Sequence, residues 1–544
     1  MAAPHASPPP IREPLLNVDN IQGNVFPGFN KPHQCFIGLI IENSAQAKDW
    51  LKRIAGEIST VRTVLDDRKR YRALRQGLDR RPTAADHLVT HIGIGFSYGG
   101  MAKLTRDAQS FESDAYRLGL VVRSPLLGDP TDPQDPGNPR HWVVGGPGNV
   151  PDVLLVVGSD ASQERTATAQ RLMQTASASG LRVNYCQDGD VLPGGLQGHE
   201  HFGFDDNVSQ PGVRGLVAED PLEYITPRTV DPSVVPESLL YGYPGQYVIW
   251  PGEFVFGYPD QTQDPLFPGA PNTIMPLWTK DGSFLVFRRY RQDVRLFWDT
   301  MAAEAQRLRL RPGFEWVNPV SLASRVVGRW PSGAPVERVP DQDVPELGQN
   351  ELANNHFNYT ADTCPMALVR PYRDTFPNAK ADPIGAVCPM GAHIRKVNTR
   401  DSSNDTGATL GSFTRRLMRR GLPFGAPLLE GPIAGEHVPL QPVDPLHGNR
   451  GLLFLGFMTS IEDQFEFLCN RWMSNRFAPA SPSGDDVFIG LNGNYGQHRV
   501  RRMILFGSGM QQEEVATNAP WLVPTGGGYF FTPSIQAIRE VLGA

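Results

Sequence analysis

The amino-acid sequence predicts an α+β protein made of two strand-and-helix units. Three observations carry this: strand signatures separated by helical periods in the first half, a second strand-then-helix series after residue 272, and a Pro-, Gly- and aromatic-rich stretch between them. In the first unit, Phe36 to Ile41 is a β-rich run, and Ala45 to Ile58 then places Ala47, Trp50, Leu51 and Ile54 at helical spacing. His87 to Phe96 alternates as a strand and runs through Gly99 and Gly100 into a helix. Val153 to Val157 is a continuous apolar strand followed by helical Ser162 to Ala176, and Leu181 to Cys186 closes the unit. This order approximates β-α-β-β-α-β with an extra helix, the ferredoxin-like arrangement, whose antiparallel sheet carries helices on one face and needs a cover on the other.

From Leu216 to Pro271 no period is sustained, which suits a linker or wrapping loop. Beyond it, Ser283 to Arg288 reads as a strand, Arg291 to Leu308 as a helix, Gly451 to Phe457 as a strand and Ile461 to Met473 as a helix. The expected division is an N-terminal ferredoxin-like domain over 1–215, a linker over 216–271 and a C-terminal ferredoxin-like domain over 272–544. The two antiparallel sheets are expected to enclose a pocket, with long loop insertions such as Pro125 to Pro151 and Pro312 to Pro345. No residue-level repeat relates the halves.

Composition narrows the function classes. The 51 Lys and Arg against 57 Asp and Glu leave no basic footprint for nucleic acid. No stretch is apolar for long enough to span a bilayer, and the N-terminal residues lack a basic start followed by an apolar run, so a cytoplasmic protein with no membrane partner is expected. Five scattered cysteines without a CxxC pair argue against a disulfide framework and a Cys-rich zinc site, and predict reduced thiols.

Three segments bear chemistry. Cys388-Pro-Met-Gly-Ala-His393-Ile-Arg395-Lys-Val-Asn-Thr-Arg400 sets one histidine among small, apolar and basic neighbours. A neutral imidazole there suits haem iron, with Arg395 and Arg400 as partners for the propionates; the competing reading is a structural histidine beside solvated arginines. His201-Phe-Gly-Phe-Asp205-Asp206-Asn207-Val-Ser-Gln-Pro211-Gly holds adjacent carboxylates, either of them an acid-base group if burial raises its pKa, or both part of a solvated turn. Phe413-Thr-Arg415-Arg416-Leu-Met-Arg419-Arg420-Gly has strand spacing, so Arg419 can enter a cavity while Arg420 on the opposite face stays in solvent; a solvated basic edge strand is the alternative.

These segments, in this order, resemble the dye-decolourising peroxidase superfamily, in a larger bacterial-type subgroup. Asn20-Ile-Gln-Gly-Asn24 is similar to its opening signature, the Asp206 segment to its distal GxxDG motif, and Cys388 to Arg400 to its proximal histidine stretch. Arg419-Arg420-Gly is similar to the distal arginine strand. Arg450-Gly-Leu-Leu-Phe-Leu, Ser460-Ile-Glu-Asp-Gln-Phe-Glu-Phe467 and Gly526-Gly-Gly-Tyr-Phe-Phe continue the likeness, which spans nearly the whole chain. The resemblance implies haem b, bound non-covalently since no CxxCH motif is present, with its iron on His393. It implies Asp206 as distal acid-base group, Arg419 as distal arginine, Arg395 and Arg400 at the propionates and Leu452 and Phe454 in the distal pocket. Glu462, or less readily Asp463, would take the proton side of His393. Asn207 stands where the motif has Gly, and Thr399 where the family tends to have Pro. The implied reaction is reduction of hydrogen peroxide at haem, then oxidation of phenolic, dye-like or other organic reductants through a high-valent iron-oxo state; the oligomeric state stays open.

Two rival readings belong to other classes. One is a non-haem metal or hydrolytic enzyme using His199, His201, Asp205 and Asp206, or His87 and His91, without a third ligand at a diagnostic spacing. The other is a non-catalytic haem carrier, which needs His393 but neither Asp206 nor Arg419.

Overall fold

The computed structural model describes residues 12–206, 208–220, 223–234, 237–369, 373–407, 411–444, 448–491 and 500–544. In the N-terminal half, β1 (His33–Ile41) leads into α1 (Ser44–Ile54), which starts where the Asn43 side chain accepts the Gln46 amide and buries the predicted stripe of Ala47, Trp50, Leu51 and Ile54. α2 (Val61–Gly77) was not foreseen, because its run of Arg and Lys shows only a short apolar face at Val61, Val64 and Leu65. Then follow β2 (Thr90–Phe96), α3 (Tyr98–Leu104), α4 (Asp114–Arg123), β3 (Val153–Ser159), α5 (Ser162–Ser177) and β4 (Leu181–Asp190).

The C-terminal half repeats the plan. β5 (Ser283–Gln292) passes into α6 (Val294–Arg309), capped by Asp293 on the Leu296 amide, and α7 (Pro319–Val327) follows. The later strands are β6 (Met418–Phe424), β7 (Gly451–Met458) and β8 (Leu522–Thr532). After β7 the predicted helix is wound as two π-helical pieces, Ile461–Glu466 and Leu468–Met473.

These eight strands join one antiparallel sheet in the order β6-β7-β5-β8-β2-β3-β1-β4, and the other strands of the described residues form three two-stranded sheets apart from it. Counted within each half, both sets run 4-1-3-2, the ferredoxin-like order, so the topology is duplicated where no sequence repeat is visible. The seam is narrow: β8 meets β2 where Phe531 lies opposite Phe96.

The sheet covers its own second face. Phe36, Leu154, Val156 and Tyr185 of the N-terminal strands share a core with Leu285, Phe287, Leu453, Leu455 and Phe457 of the C-terminal ones, and Phe36 stacks on Phe287 at 5.6 Å. Helices α1 and α5 cover the other N-terminal face through Cys35, Ile37, Leu39 and their neighbours. Among the described residues of 216–271, Trp250, Phe254, Val255 and Phe256 are buried. No helix of the described residues is long and apolar enough to cross a membrane.

Candidate functional site

Strand period places the cavity. On β7, Leu453, Leu455 and Phe457 fill the shared core, so Leu452 and Phe454 point to the opposite face, where a cavity of about 300 Å³ opens. The pocket therefore lies outside the core shared by the two half-sheets, because aromatic and aliphatic side chains already fill that core. Segments 200–206, 208–211, 393–400, 415–421 and 488–491 contribute its other walls.

His393 begins a single helical turn, His393–Val397, and lines the cavity with its ring packed against Phe488 at 5.9 Å. The chain before it runs close to its neighbours: a Cβ on Gly391 would sit 2.7 Å from that of Met503. The Nδ1 atom lies 2.8 Å from Oδ2 of Asp486, which is fully buried. The other oxygen, Oδ1, accepts the amides of Phe488 and Ile489, both at 3.0 Å. A carboxylate held this way accepts the Nδ1 proton, which leaves Nε2 as the lone-pair nitrogen.

Asp206 and Arg419 line the same cavity. The amide of Asp206 is held by the Gly198 carbonyl at 3.0 Å, and Gly421 gives its carboxyl room: a Cβ there would lie 2.2 Å from Oδ2. Gln210 clamps the Arg419 backbone, its Nε2 donating to the carbonyl at 2.8 Å and its Oε1 accepting the amide at 3.2 Å. The Arg419 guanidinium donates to the Ser209 carbonyl; burial lowers its pKa and the nearby Asp206 charge opposes that. Asn207 lies outside the described residues. Burial, reinforced by Asp206, pushes Asp205 up to about 7, and burial does the same to Glu200 despite amide bonds from Phe202 and Phe204.

One side of the cavity is strongly cationic. Arg329, Arg400 and Arg416 all line it, and none has a carboxylate in ion-pair range among the described residues. Arg400 donates to the carbonyls of Asn355 and Phe357 and stacks on Phe357 at 3.7 Å, while Arg416 donates to Asn398 Oδ1 at 2.6 Å. Burial, then mutual repulsion with Arg400, holds Arg329 and Arg416 down at about 10. Buried guanidiniums without counter-charges call for an anionic ligand. An imidazole nitrogen, a wall of Leu452, Phe454, Phe465 and Leu468, and a polycationic side form a donor set that fits haem with its two propionates.

Several expectations need correction. Arg395 does not line the cavity; its guanidinium is spent on Asp382 at 3.1 Å and the Cys388 carbonyl at 2.8 Å, and it stacks on Tyr359. Glu462 is not the partner of His393: it accepts from Ser113 Oγ at 2.9 Å and the Ala115 amide at 2.7 Å, where it holds the start of α4. Asp463 is exposed near Arg415. Arg420 does not stay in solvent; it runs along the Met418 and Leu422 face to the Val25 carbonyl, and burial lowers it to about 9. The metal clusters also dissolve. His201 uses Nε2 on the Phe424 carbonyl, and His87 and His91 both bind Asp67. Among the described residues no group of three or more such side chains is placed to hold a metal ion. Asp486 was missed because nothing in Ser483-Gly-Asp-Asp-Val ties it to a histidine 93 residues earlier.

Comparison with known proteins agrees with this geometry. Residues 20–193 match the family model described as the DyP dimeric alpha+beta barrel domain. The chain is 28% identical to a dye-decolorizing peroxidase of Mycena epipterygia, over 97% of this chain and 88% of that one. It is 25% identical to the multifunctional dye peroxidase DyP2 of an Amycolatopsis species, over 97% of each. The solved structure of an ancestral D-type dye decolorizing peroxidase superposes with a TM-score of 0.72 at 27% identity, covering 98% of this chain and all of that one. The fold, the full-length likeness and the cavity agree: residues 20–193 carry the DyP domain, and the chain is similar along nearly its whole length to dye-decolourising peroxidases.

Proposed function

We propose that the chain is a haem peroxidase that reduces hydrogen peroxide and oxidises phenolic, dye-like or other organic reductants, with haem b held non-covalently and its iron on His393. One observation carries the reading: a single cavity combines a histidine whose Nδ1 proton is fixed by a buried carboxylate, an Asp206–Arg419 pair, and arginines that lack counter-charges. Haem, when bound, supplies the redox chemistry, two electrons to peroxide and single electrons from reductants. Asp486 keeps the Nδ1 proton of His393 and strengthens Nε2 as a donor. Asp206 takes a proton from one peroxide oxygen and returns it to the other, and the Arg419 guanidinium offsets the negative charge that develops there. Leu452 and Phe454 keep water from that exchange, while Arg400, Arg416 and Arg329 anchor the propionates. Asp205 faces Gly333 and feels Arg329, so it stands second to Asp206 for the proton role. The division into ferredoxin-like domains at 1–215 and 272–544, with 216–271 between, is part of the same proposal and rests on the duplicated strand order.

The test is the optical spectrum of haemin-loaded protein before and after one equivalent of peroxide. A strong Soret band that shifts on peroxide addition is expected; protein that stays colourless with haemin would overturn the reading. Arg419→Ala should keep the Soret band and slow the peroxide step by about 10²–10³-fold, whereas a haem carrier would show no change. Asp206→Asn should slow that step more than Asp205→Asn.

A further inference from the structure

Away from the haem cavity, two cysteines lie in contact. Cys35 on β1 and Cys186 on β4 sit on adjacent antiparallel strands, with Cys35 opposite Asp188 and Cys186 opposite Ile37, which makes them diagonal neighbours on one sheet face. Their sulfurs are 3.5 Å apart, and neither lines the cavity. Cys186 is exposed and Cys35 is buried beneath it. Cys35 and Cys186 lie 151 residues apart with no motif joining them, so the sequence could not reveal this pairing.

We infer that Cys35 and Cys186 form a second peroxide-reactive site, a dithiol that hydrogen peroxide converts into a disulfide between β1 and β4. The surroundings suit each role. The hydrogen bond with Cys35 and the nearby Arg165 charge lower the Cys186 pKa against burial and Asp188, and Cys186 is the exposed sulfur of the two, so it is the better nucleophile. The Cys186 thiolate attacks one peroxide oxygen; an S–O bond forms, the O–O bond breaks, and the leaving hydroxide takes up a proton to become water. Cys35 then loses its proton and attacks Sγ of the Cys186 sulfenic acid; the S–S bond forms, the S–O bond breaks, and a second water departs. In sum, two thiols and one peroxide give one disulfide and two waters. Bonding requires the sulfurs to close to about 2.05 Å. β4 is an end strand of the sheet, and its pairing with β1 shifts register next to the site, between Gly38 and Leu39, so the backbone there is able to follow.

Full-length haem-loaded protein, reduced and freed of reductant, is treated with hydrogen peroxide and read by intact mass and non-reducing peptide mapping. Wild type should lose two hydrogens and yield a peptide pair joined through Cys35 and Cys186, restored to free thiols by a phosphine. Cys35→Ser should instead carry added oxygen on Cys186, and Cys186→Ser should leave Cys35 reduced. Exposed Cys364 serves as internal control and should not appear in the joined pair. The inference is overturned if wild-type Cys186 accumulates sulfinic acid while Cys35 stays a thiol, or if both remain thiols while Cys364 oxidises. Because the mapping is done on wild type, a variant that fails to fold does not remove the test, and the outcome does not depend on the haem assignment.

Discussion

His393 keeps its Nδ1 proton on Asp486, while Glu462 spends its carboxylate on Ser113 and the start of α4. Substitutions at the two acids should therefore separate. Asp486→Asn weakens the acceptor and should slow the peroxide step and shift the haem spectrum; Glu462→Gln should cost about 1 kcal/mol in denaturant unfolding, as lost helix-start hydrogen bonds do, with the spectrum unchanged. The reverse pattern would restore Glu462 to the site. A second residue-scale expectation concerns pH. Glu200 and Asp205 are both raised to about 7 by burial, above their unfolded values of about 4. A raised carboxyl stabilises the fold fully below its unfolded pKa, and that contribution is lost as pH rises through the folded one. Denaturant midpoints should fall between about pH 5 and about pH 8, and Glu200→Gln should flatten that fall; a midpoint that climbs across the window contradicts the account. At this scale residue type and local pattern offered an imidazole, two adjacent carboxylates and an arginine strand, and it was the family resemblance that singled out His393, Asp206, Arg419, Leu452 and Phe454, which share the cavity. Asp486 and Arg329 were not legible, since their positions depend on contacts across long stretches of chain.

Among the elements, β6 and β7 matter most to the site, because period-2 alternation sends one set of side chains to the core and the other to the cavity. Gly421 on β6 is the point of closest approach, with Asp206 Oδ2 where a Cβ would be. Gly421→Ala should displace the Asp206 carboxyl and slow the peroxide step while the protein folds and binds haem, checked by stopped-flow with the Soret band as loading control. Unchanged kinetics would mean that Asp206 acts from elsewhere. Strands of this kind were readable from alternation and apolar runs. α2 was not, because tertiary packing under Val61, Val64 and Leu65 holds a helix whose outer face is almost wholly charged.

In the whole molecule, the two halves are one sheet with a thin seam, and side chains reinforce what the backbone leaves narrow. Arg288 of β5 and Asp129 of the loop after α4 form an ion pair across the halves at 2.7 and 2.9 Å, fully buried on both sides. Removing one partner strands the other charge, so Asp129→Ala should cost about 3–5 kcal/mol, read as a drop in unfolding free energy; a loss below about 1 kcal/mol would refute that role. The duplicated ferredoxin-like order was within reach of the sequence as two separate series of elements. The single sheet and the cavity on its outer face were not, because both follow from how apolar faces pair in three dimensions.

A crystal structure of the haem-loaded protein decides which side chains meet the haem and from which side. Iron should be ligated by His393 Nε2, with Asp206 and Arg419 on the other face of the porphyrin and the propionates among Arg329, Arg400 and Arg416. Iron bound by any other side chain, or Asp206 and Arg419 on the His393 side, would contradict the proposed function.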